Sequence, residues 1–146
     1  MALKRTVHWA TREYHHFLST RRHRPFAWGS NDCALFCADG IHAMTGVDIA
    51  AAFRGKYSDE ESAMTSIHEV AGGHTIADAA AWCAEQHGLA ECVHPLMAQR
   101  GDLVIVYAAQ GLLSGLVDLN GRHVLLPGQR GLVRLPISLV TRSWHV

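Results

Sequence analysis

Apolar residues recur at helical spacing through the first half of the chain, then run together or alternate through the second. From about Lys4 to Arg22, Val7, Ala10, Tyr14, Phe17 and Leu18 share one side of a helical repeat that Pro25 ends. A second helix is predicted from Asp32 to Met44, with Cys33, Phe36, Cys37, Gly40, Ile41 and Met44 as its inner stripe and Gly46 as its stop. "DIAAAFRG" predicts a short helix from Asp48 to Phe53. Ser58 stands three residues before Glu61, a capping-box spacing that opens a helix ending at Gly72-Gly73. Another amphipathic stretch runs from about Thr75 to His87 and closes at Gly88.

The period then changes. "RGDLVIVYA", Arg100 to Ala108, is a β-branched run after a Gly-Asp turn and predicts a strand. "GLLSGLVDLNGRHVLLPG" predicts two strands around an Asn120-Gly121 hairpin turn. "GLVRLPISLV" adds a fourth short strand and "SWHV" a closing segment. Helices first and an antiparallel meander second is an α+β plan.

Composition narrows the reading. A chain of 146 residues, 49% hydrophobic and 18% charged, is one packed domain rather than a disordered one. Thirteen basic and thirteen acidic residues balance, so no general attraction to nucleic acid follows. The cluster Arg21, Arg22, His23 and Arg24 reads as a solvated helix end whose cations suit the C-terminal dipole. No apolar run of about eighteen residues is present to span a bilayer. His8, Arg12 and Glu13 interrupt any signal-peptide core, so synthesis in a cytosol and four free thiols, at Cys33, Cys37, Cys83 and Cys92, are expected.

Cys33 carries the most chemical interest. A cysteine in the first turn of a helix is favoured as a thiolate by the unsatisfied N–H groups there, which can also donate to an oxyanion. Asp32 opposes that charge, and a lone cysteine is more often a small buried hydrophobe. Cys33 and Cys37 lie one turn apart, and Cys83 and Cys92 could approach them to hold a metal. The spacings are not those of a zinc ribbon or ferredoxin, so no metal and no cofactor is expected.

The ordered motifs Pro25-Phe26-Ala27-Trp28-Gly29, Asp32-Cys33, Asp39, Thr45-Gly46-Val47-Asp48, Arg54-Gly55-Lys56-Tyr57, Gly101-Asp102-Leu103-Val104 and Trp144 carry a resemblance. The chain resembles the NlpC-type papain-like cell-wall peptidases, and more closely a phage- and prophage-associated branch of them. The resemblance covers about Arg24 to Val146 and implies a papain-like fold, a helical half packed on a small antiparallel sheet; with 1–23 as an additional N-terminal helix, the chain is expected to be one domain over 1–146. It makes Cys33 the candidate nucleophile and Trp28, Asp32 and Tyr57 the wall of a groove, although burial alone would account for the aromatics.

Active relatives carry a histidine on the strand after Gly-Asp-Leu-Val and a polar residue on the next. Setting the family's glycine on Gly115 puts Leu113 at the base position and Leu125 at the third. Neither takes a proton. Among eleven histidines, His42 lies about 13 Å along the same helix, too far for contact. His123 is the best substitute base, with an exposed cross-strand pair to Asp118 as its plainer role. The resemblance therefore implies a tail-tip or baseplate protein of a phage or prophage, assembled in the bacterial cytoplasm and carried in the virion. It would contact other tail proteins and keep the fold for structure or assembly. The alternative is an active cysteine peptidase or amidase that cuts peptidoglycan during entry.

Overall fold

The computed structural model describes residues 3–146. Four α-helices, α1 (Tyr14–Arg21), α2 (Cys33–Thr45), α3 (Glu60–Ala71) and α4 (Ile76–Gln86), precede five strands, β1 (Leu103–Ala108), β2 (Gly111–Val117), β3 (His123–Gly128), β4 (Gly131–Pro136) and β5 (Val140–Trp144). The fold is α+β. None of the helices is long and apolar enough to cross a membrane among the described residues.

The strands form one antiparallel sheet ordered β4-β3-β2-β1-β5. The hairpin at Asn120-Gly121 forms as expected, with Asp118 N donating to His123 O. β5 does not extend the meander beyond β4. It crosses to the far edge and pairs with β1, Leu103 opposite Trp144.

α2 lies on one face of the sheet. Phe36, Ile41 and Met44 of its inner stripe are fully buried, each contributing roughly 1.5–3 kcal/mol of burial. Leu103, Ile105, Leu116 and Leu125 meet it from the sheet. Val104, Val106, Val117, Val124 and Leu126 form a second cluster on the opposite face, covered by Leu135, Ile137 and Leu139. β1 is therefore apolar on both sides, which is why it reads as a continuous run rather than an alternation.

Three expectations about the helices change. The first α-helix begins at Tyr14, after a π-helical turn over Trp9–Glu13, and Val7 is 90% exposed. The chain before it is irregular and turns at residues 7–8, tied down by Thr6 N donating to Met44 O and by the Arg5 side chain reaching Asp102. Asp48 to Phe53 forms turns, not a helix: the Asp48 carboxylate accepts from Ala50 N and binds Arg54. α3 is capped by Asp59 rather than Ser58, with Ser62 completing the box.

Candidate functional site

Asn31 and Asp32, both buried, fix the loop that delivers Cys33. The Asn31 amide donates to Arg24 O and Pro25 O while its oxygen accepts from Arg21. Asp32 caps α2 through Leu35 N, and its other oxygen accepts from Gly29 N and, at 2.7 Å, the Tyr57 hydroxyl. Gly29 has φ 79°, and a Cβ there would stand 2.6 Å from Tyr57 O, so no side chain fits between loop and tyrosine. Burial first, then the bond to Asp32, pushes the Tyr57 hydroxyl well above its ordinary range and keeps it a donor.

The other motif residues form an ion-pair ladder behind this loop. Arg21 binds Asp39, Asp39 binds Arg54, and Arg54 binds Asp48. Arg21 is thus a largely buried clamp that also lies over the Phe17 ring, not a solvated helix end.

Beneath the start of α2 opens a cavity of about 390 Å³. Cys33, Cys37 and Cys83 border it, with Ile76, Ala79 and Ala80 of α4 on one side and Leu112 and Ser114 of β2 on another. Trp28 and Phe26 meet edge to face at 5.0 Å and form part of its rim. Trp28 remains 39% exposed, so burial does not account for it.

Strand alternation decides which residue confronts Cys33. Leu112 and Leu116 pack toward the helices, and Leu113 and Val117 pack with the cluster on the opposite face. Leu113 borders the cavity, but Ser114 is the β2 residue whose side chain and backbone face the Cys33 sulfur. Leu125 belongs to the helix-side core.

The Ser114 hydroxyl is buried with no hydrogen-bond partner of ordinary geometry. Ser114 eases the charged form of Cys33, but burial outweighs it and Asp32 adds to burial, so the thiol is pushed up from its ordinary value. Burial pushes Cys37 further and takes Cys83 to about 12. These are protonated thiols at neutral pH.

No histidine borders the cavity among the described residues. The His123 ring is engaged at the hairpin, its Nδ1 2.8 Å from the Asn120 amide. Asp118 pairs with Arg134 instead of His123. The four cysteines do not gather either: among the described residues the group whose ligand atoms converge is Cys92, Asp102 and His145, none of which borders the cavity. The α4 wall and Ser114 were missed at the level of sequence, where only the strand's face, not its composition, distinguishes Ser114 from Leu113.

Such a pocket suits an apolar group whose polar end meets Ser114 and the Asp32–Tyr57 pair. It holds a thiol with no imidazole among its described lining residues to take that thiol's proton. One family model, described as a domain of unknown function, matches residues 4–146. No curated protein and no solved structure matches the chain.

Proposed function

We propose, from the cleft of this member of the DUF6950 family, that it is a binding domain on a papain-like NlpC-type scaffold rather than a hydrolase. Its setting, by the motif resemblance, is the tail tip or baseplate of a phage or prophage, where the domain serves structure or assembly. The observation that carries the reading is the lining of the cavity: Cys33 faces Ser114, and no imidazole stands beside it. Acyl transfer by a cysteine requires a base to take the thiol proton or a depressed thiol pKa, and burial drives this one the other way. The cavity then offers a docking socket for an apolar side chain of a neighbouring tail protein, entered past Trp28 and Met64.

The test is to incubate the pure protein with peptidoglycan sacculi and to alkylate its thiols in parallel. No soluble fragments should appear, for the wild type or for Cys33→Ala. Cys33 should label slowly near pH 7 and accelerate only as pH climbs past the ordinary thiol value. Fragment release that disappears in Cys33→Ala would establish the peptidase alternative and overturn the binding reading.

A further inference from the structure

Outside the cavity, three side chains line up across the β1–β5 edge. Asp102 sits in the turn before β1, His145 follows β5, and Cys92 is held beside them by its own N–H donating to Ser143 O. The Asp102 carboxylate is 2.9 Å from His145 Nδ1 through Oδ2. Oδ2 also accepts from Gln99 N, and Oδ1 accepts from Arg5 and Val146 N. With both oxygens doubly engaged, the carboxylate is built to orient the ring, and binding a metal would break contacts already made.

An ionised carboxylate can only accept, so Nδ1 carries the proton shared with Asp102 and the neutral ring keeps its lone pair on Nε2. The Cys92 sulfur is 3.4 Å from Nε2 and 3.7 Å from Nδ1. Near-equal distances set the sulfur against the ring. Turning of the imidazole about its own side-chain bonds, for which a side chain 43% exposed has room, is the movement that carries the Nε2 lone pair toward the thiol. Cys92 itself is 8% exposed, which admits only a small reagent.

We propose that Cys92 is the reactive thiol of this chain, a site of oxidation by small hydroperoxides, with His145 as proton acceptor and Asp102 as its positioning residue. The sulfur lone pair attacks the peroxide oxygen, an S–O bond forms and the O–O bond breaks. Sulfur loses two electrons to become a sulfenic acid and the peroxide gains them. The thiol proton passes through Nε2 to the departing oxygen, which leaves as water when the oxidant is hydrogen peroxide. This inference is independent of the Cys33 cavity, which Cys92 does not border.

The experiment treats the folded full chain with hydrogen peroxide for set times, removes the peroxide, unfolds the chain into dimedone to trap the sulfenic acid formed, and quantifies each cysteine by peptide mass. Cys92 should be trapped at least about tenfold faster than Cys33, Cys37 or Cys83, and His145→Gln should remove about that factor, as loss of a positioned base does. The slow Cys33 rate serves as an internal control for the fold of the variant. Trapping of Cys92 no faster than Cys33 in the wild type would overturn the proposal whether or not the variant folds. So would an unchanged Cys92 rate in a folded His145→Gln protein.

Discussion

A carboxylate just ahead of a helix has two oxygens to distribute, and Asp32 gives one to the helix and the other to the loop and the tyrosine wall. Asp32→Ala would strip the cap from α2 and leave Gly29 N and the Tyr57 hydroxyl without their acceptor. A cap is worth about 1 kcal/mol and each orphaned buried donor adds more, so a loss of roughly 2–4 kcal/mol in urea unfolding is expected. Asp32 is also one of the charges that hold Cys33 protonated. Burial is the larger cause and survives the substitution, so Cys33 alkylation should stay slow in the variant even though the nearby charge is gone. At this scale Asp32 holds the cleft together, while burial sets the state of its thiol. Ser114, in turn, eases the thiolate but takes no proton from it.

Among the elements, α2 rests on one close approach. A Cβ on Gly40 would collide with Leu116 Cδ1 and stand 2.9 Å from the Phe17 ring. Gly40→Ala gains helix propensity of about 1 kcal/mol but overpacks a site shared by α1, α2 and β2, which costs roughly 1–3 kcal/mol. A lower urea midpoint at unchanged slope is expected, the reverse of what propensity alone gives. The elements legible from sequence were those with local punctuation: α2 between Asp32 and Gly46, α4 between Thr75 and Gly88, and the Asn120-Gly121 hairpin. Asp48 to Phe53 misled because its side-chain bonds close a turn that imitates the first turn of a helix. The facing residue on β2 was not legible, since a strand's inward set is fixed only once its partners are known, and a one-residue offset exchanges Leu113 for Ser114. Asp102 and His145 lie far apart in the chain and are brought together by the pairing of β5 with β1, while Cys92 is added by the bridge of Glu91 to Trp144.

For the whole molecule, closure runs through Arg5. Its guanidinium reaches Asp102, Arg100 O and Val146 O and lies over Trp9 at 4.1 Å. Burial lowers the Arg5 pKa from its ordinary value while Asp102 holds it up, and it stays charged at any working pH. The segment before α1, the turn before β1 and the residues after β5 thus meet on one carboxylate. Residues 5 and 146 being a side chain apart, the backbone can be rewired into a ring by a short linker and reopened elsewhere. The exposed tip Gln129–Arg130 between β3 and β4 is the natural place to cut. Such a circular permutant should melt in a single cooperative transition with the wild-type near-ultraviolet spectrum. The same permutant carrying Arg5→Ala should melt lower and less sharply, the linker holding the ends together without replacing the clamp.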